Sequence, residues 1–139
     1  MKVLVKDNKV LLIDGKPIQA PAADIVEIAD AFSATADTTT IGPCYTAMVA
    51  TIDKTVVPLP CVVRYVNTKP ISQQTAYTVC ACDFYIAADG VVTGMAITRL
   101  GGTTELSFGS SGTFNADATG TNYKVFSGES YNAYYYPQQ

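Results

Sequence analysis

Apolar and polar positions alternate in short runs along most of the chain, and turn residues close each run. "KVLV" (2–5) gives way to Asp7 and Asn8, "KVLLI" (9–13) to Asp14-Gly15, and "KPIQ" (16–19) follows. Asp-Gly between apolar runs suits a two-residue hairpin turn, because both positions accept positive φ. Pro17 lacks an amide hydrogen, which confines the third run to an edge or a strand end. Residues 1–20 therefore read as a β-meander and a candidate assembly arm. From "TADTTTIGP" onward the same signal continues: "CYTAMVATI" (44–52), "TAYTVCACDFYIA" (75–87), "VVTGMAITRL" (91–100), "TTELSF" (103–108), "TFNADA" (113–118), "TNYKVFS" (121–127) and "SYNAYYY" (130–136). Asp89-Gly90, Gly101-Gly102 and "GSSG" (109–112) supply the turns. In "TVVPLPCVVRYVN" (55–67) the valines favour a strand, but Pro58 and Pro60 bar a regular central one where they stand.

One stretch, "APAADIVEIADAFSA" (20–34), fits two periods. Ile25, Ile28, Ala29 and Phe32 match a helical face, with Asp24 and Glu27 spaced as a capping box. Val26, Ile28 and Phe32 equally match a strand, and β-branched residues are stiff in helices. The pattern does not choose between them. Short strands with Gly-rich turns indicate an antiparallel sandwich or barrel-like domain. The expected fold is thus mainly β, a single domain over 1–139, with the opening meander and one short helix at about 24–33.

Composition narrows the function. With 48% hydrophobic and 15% charged residues, the chain can bury a core. A net charge of -3, scattered lysines and two isolated arginines argue against nucleic acid as a partner. No run of about 20 apolar residues suits a membrane helix, and "MKVLVKDNKV" turns polar too soon for a signal peptide. Synthesis in a cytoplasm, with the four cysteines as thiols, is expected. The chain has no histidine, which removes Ser-His-Asp, Cys-His and histidine–metal designs. No Walker, G-x-S-x-G or dinucleotide motif is present.

The cysteine pair in "YTVCACDFYI" (77–86) raises metal or redox chemistry. On a strand, Thr78, Cys80, Cys82, Phe84 and Ile86 share the more apolar face, while Tyr77, Val79, Ala81, Asp83 and Tyr85 share the other. Such i, i+2 thiols sit about 6.5 Å apart with parallel Cβ vectors, poor geometry for a disulfide. Core packing is the expected role; zinc, or a bond to Cys44 or Cys61, is the alternative. Asp83 reads as solvent-facing. "NADATGTN" (115–122) places Asn115, Asp117, Thr119 and Gly120 as in a calcium loop, but Phe126 stands where the bidentate glutamate belongs. A polar turn is the simpler reading. Convergent carboxylates for glycoside hydrolysis remain open, although Asp7, Asp14, Asp53 and Asp89 occupy turns. No catalytic, cofactor or metal residue is assigned, and no cofactor is expected.

The end of the chain, "SYNAYYYPQQ", concentrates Tyr131, Tyr134, Tyr135 and Tyr136. Tyrosine is enriched at interfaces, so these four are the candidate contact residues; a strand closing the sheet is the alternative. "KVLLIDGKPI" near the start and the hairpins "AITRLGGTTELSFGSSGTFNADATG" resemble small bacteriophage virion proteins such as decoration, fibre or tail components. That resemblance lies in composition and layout and carries over no functional residue. It implies a non-enzymatic structural protein, located in the virion, that self-associates and contacts capsid or tail partners. A module binding a host surface glycan through its tyrosines is the alternative, and a small acidic intracellular inhibitor a further one.

Overall fold

In the computed structural model, which describes residues 3–6, 9–13, 16–17, 25–38, 41–100, 102–107 and 125–138, the chain is mainly β. In chain order the elements are β1 (Val3–Lys6), β2 (Lys9–Ile13), β3 (Lys16–Pro17), β4 (Val26–Ser33), α1 (Ile41–Ala50), β5 (Cys61–Asn67), β6 (Ala81–Ile86), β7 (Val92–Arg99), β8 (Gly102–Ser107) and β9 (Ser130–Pro137). The first three make an antiparallel meander of their own, β1-β2-β3. The other six form one antiparallel sheet ordered β4-β9-β5-β6-β7-β8. Among the described residues β4 and β8 do not pair with each other, so the strands form an open sheet and not a barrel.

Local chemistry explains where the strands start and stop. β5 begins directly after Pro60, the last residue that cannot donate to a ladder, and runs through the β-branched "CVVRYVN". β6 and β7 are joined by a tight turn in which Asp89 Oδ1 accepts the Val91 amide at 3.0 Å and Gly90 takes φ +86°. Before β9, Gly128 takes φ +89° in a turn closed by the Glu129 amide donating to the Phe126 carbonyl at 3.1 Å.

Two assignments from the pattern are corrected. The short helix over about 24–33 is instead β4, an edge strand of the large sheet. Its β-branched residues favour the extended form, and β9 offers a full ladder, with Val26 opposite Tyr135 and Ser33 opposite Ser130. A register shift between Ile28 and Phe32 accommodates Asp30 at φ 50°. Conversely "CYTAMVATI", read as a strand, lies mostly in α1. Pro43 is tolerated in a first turn, and Cys44, Tyr45 and Met48 are all fully buried. Tertiary packing of that stripe overrides the alternation.

The main core lies between α1 and one face of the sheet, where Tyr45, Met48 and Cys44 meet Val63, Tyr65, Cys82, Phe84, Met95, Tyr131 and Tyr135. Phe84 sits edge-on to both Tyr65 (5.7 Å between centroids) and Tyr45 (6.5 Å). Each such ring contributes about 1.5–3 kcal/mol by burial and roughly 0.5–1.5 kcal/mol more by edge-to-face geometry. The opposite face holds a smaller cluster of Val62, Val66, Cys80, Ala81, Tyr134 and Tyr136.

Candidate functional site

The terminal tyrosines, expected to form a contact surface, are placed inside. β9 is paired on both sides, with β4 on one and β5 on the other, so it is not an edge strand. Tyr131, Tyr134, Tyr135 and Tyr136 are 0%, 7%, 2% and 5% exposed. Alternation sends Tyr131 and Tyr135 into the main core and Tyr134 and Tyr136 into the smaller cluster. Their hydroxyls tie neighbouring segments down. Tyr131 donates to the Val79 carbonyl (2.9 Å), Tyr134 donates to Glu27 Oε1 (3.1 Å), and Tyr135 accepts the Asp53 amide (3.0 Å). Tyr65 in β5 likewise donates to the Met48 carbonyl at 3.0 Å, at the end of α1. The tail is therefore an internal strand of the large sheet, with its four tyrosines buried.

Asp83, read as solvent-facing, is 5% exposed and forms a fork with Arg64. Nε donates to Oδ1 at 2.7 Å and a terminal nitrogen to Oδ2 at 2.9 Å. The two residues face one another across β5 and β6, on the face opposite α1. Burial opposes the arginine's charge, and the Asp83 carboxylate offsets this, so the guanidinium is held above its ordinary value. Arg64 in "CVVRYVN" and Asp83 in "ACDFYI" are the sole charges in two apolar strands, and that symmetry is the signal for a buried pair.

All four cysteines are buried and free. Cys82 joins Phe84 and Ile86 in the main core, but Cys80 does not follow them. The regular ladder starts only at Ala81, and Cys80 bonds to the Thr98 carbonyl through both its amide (2.9 Å) and its thiol (3.0 Å). Cys80 therefore shares the smaller cluster with Ala81, which corrects the shared-face expectation. Burial pushes the thiols of Cys44 and Cys80 up to about 12, and raises those of Cys82 and Cys61. Such thiols are poor nucleophiles and poor ligands at neutral pH. Among the described residues no group of three or more His, Cys, Asp or Glu is placed to hold a metal ion. The loop with Asn115, Asp117, Thr119 and Gly120 lies outside the described residues.

Among the described residues three of the four exposed large apolar side chains stand at one end of the large sheet, the fourth being Val26 in β4. Tyr77 (51% exposed), Leu100 (38%) and Phe126 (38%) belong to the β5–β6 connection, the β7–β8 turn and the approach to β9. The strand register places all three at one end of the sheet, where Asn67, Ala81, Arg99 and Ser130 terminate their strands. The β5–β6 connection spans this end. Arg99 donates to the Ala76 carbonyl at 3.0 Å beside Tyr77. On the other side Lys69 Nζ sits 5.9 Å from the Phe126 ring centroid and 3.5 Å from Glu129 Oε2. The sequence pattern assigns Tyr77 and Phe126 to strand runs, whereas both lie in connections outside the strands of the sheet. No protein-family model matches the chain, and no curated protein or solved structure matches it significantly. No described helix is long and apolar enough to cross a membrane.

Proposed function

We propose that this protein is a non-enzymatic structural subunit that works by association, with copies of itself and with the larger particle of a bacteriophage virion. The observation that carries the reading is the end of the sheet where Tyr77, Leu100 and Phe126 stand exposed, beside the charges of Lys69 and Arg99. Aromatic anchors within a charged rim are the usual make-up of a contact surface. The Thr-, Ser- and Gly-rich hairpins and the layout shared with small virion proteins support the particle as the setting. The burial of Tyr131, Tyr134, Tyr135 and Tyr136 removes them as stacking platforms for a glycan, which weighs against the alternative of a sugar-binding module.

The test is sedimentation velocity on the intact chain and on Tyr77→Ser/Leu100→Ser/Phe126→Ser. The intact chain is expected to associate as concentration rises, and the triple variant to stay monomeric with an unchanged circular dichroism spectrum. An intact chain that is monomeric at all concentrations and ignores virion proteins would sink the proposal.

A further inference from the structure

The outer side of β4 is a strand edge that meets water. Among the described residues β4 ends the large sheet and pairs only with β9. Val26 and Glu27 are both exposed, and so are Ala29 and Asp30. Neighbouring residues of a strand point to opposite faces, so exposure of both members of each pair leaves the edge between them open. A regular edge of this kind offers unpaired amides and carbonyls to the same edge of another copy.

β4 does not keep that regularity. Ile28 lies opposite Ala133 and Phe32 opposite Tyr131, so four steps along β4 match two along β9, and β4 carries two extra residues. An insertion of two preserves the alternation, and Ile28 and Phe32 both still reach the main core. What is lost is the length of the edge, which is divided into the paired runs 26–28 and 32–33. Specific contacts hold the break. Asp30 takes φ 50°, a left-handed backbone that Asp adopts more readily than most residues. Its amide donates to Asn132 Oδ1 at 3.0 Å, toward β9 and away from the open edge. Asn132 is 7% exposed; its Nδ2 donates to Glu27 Oε1 at 3.5 Å, and the Tyr134 hydroxyl donates to the same oxygen at 3.1 Å. The Asp30 carboxylate stands at the break, and charges and bulges are both devices that keep edge strands apart. We propose that the Asp30 bulge, held by Asn132, is a guard that keeps β4 from pairing with β4 of a second copy. The guard goes beyond the association proposed above: that contact uses the sheet end at Tyr77, Leu100 and Phe126, and the guard closes a different route.

The experiment uses the full chain carrying Tyr77→Ser/Leu100→Ser/Phe126→Ser, which removes the sheet-end contact. A parent of this kind that still associates sinks the sheet-end contact and leaves the comparison with its own variants intact. Deleting residues 29 and 30 gives β4 an unbroken ladder to β9 with every face unchanged. Sedimentation velocity and amide hydrogen exchange compare the deletion with its parent. The deletion is expected to shift the chain from monomer to dimer or larger, with exchange slowed over residues 26–33. Adding Val26→Lys, a charge on the edge, is expected to reverse that shift. Asp30→Val disfavours the left-handed backbone and is expected to associate, while Asp30→Asn tolerates it and is expected to match the parent. A deletion variant that keeps the parent's circular dichroism spectrum and associates no more than the parent overturns the guard, as does association without slowed exchange at 26–33. Where the deletion fails to fold, the point variants decide: Asp30→Val no more associated than Asp30→Asn overturns the guard equally.

Discussion

Replacing Asp83 with alanine leaves the Arg64 guanidinium buried without its counter-charge. The two side chains are 8% and 2% exposed, and two hydrogen bonds of 2.7 and 2.9 Å are lost together. At such burial the loss is dominated by the stranded charge, and breaking a pair of this kind costs about 3–5 kcal/mol. For a chain of this length that lowers the melting temperature by roughly 10–15 °C. Arg64→Met/Asp83→Leu removes both charges and keeps the volume, so it is expected to fall within about 1 kcal/mol of the parent or to exceed it. Urea unfolding followed by far-ultraviolet circular dichroism gives all three stabilities, and with Arg64→Met alone they close a double-mutant cycle. Should Asp83→Ala cost less than about 1 kcal/mol, as an exposed pair does, the burial of this face would be wrong.

Two further outcomes follow from the buried acids. Burial raises the phenols of Tyr45, Tyr65, Tyr131, Tyr135 and Tyr136 above their ordinary value near 10, and the Cys44 and Cys80 thiols from 9.0 to about 12. The unfolded chain thus loses these protons first. Their contribution is complete below pH 9, falls as the pH rises from 9 toward 12, and is measured as an alkaline drop in unfolding free energy coincident with tyrosinate absorbance. A flat stability profile to pH 12 would contradict the burial of these groups. A thiol reagent should label all four cysteines rapidly in denaturant and slowly without it; one fast native thiol would show that its strand or helix is misplaced.

The sequence made the sheet legible where chemistry acts locally. The start of β5 follows from Pro60, the β6–β7 hairpin from Asp89-Gly90, and the meander from Asp14-Gly15. It failed where long-range pairing decides. Residues 26–33 carry both periods, and only the ladder to β9, a hundred residues away, selects the strand. α1 hides because its buried stripe is small and flanked by Gly42 and Pro43. The tyrosine tail looked like an edge because its position in the sheet depends on strand order, which local pattern does not encode. Asp83 looked exposed because its partner lies 19 residues away on another strand. The surface site was the least legible part: Tyr77, Leu100 and Phe126 share no run, and the register alone brings their turns to one end.

Hydroxyl-radical footprinting of the intact chain, in dilute and in concentrated solution, tests the central claim in one experiment. Tyr131 and Tyr135, at 0% and 2% exposure, should be protected at every concentration. Tyr77 and Phe126 should react in dilute solution and become protected as the protein associates. The opposite result, with Tyr77 and Phe126 equally reactive throughout and Tyr131 and Tyr135 protected only on concentration, would return the interface to the tail and contradict the account.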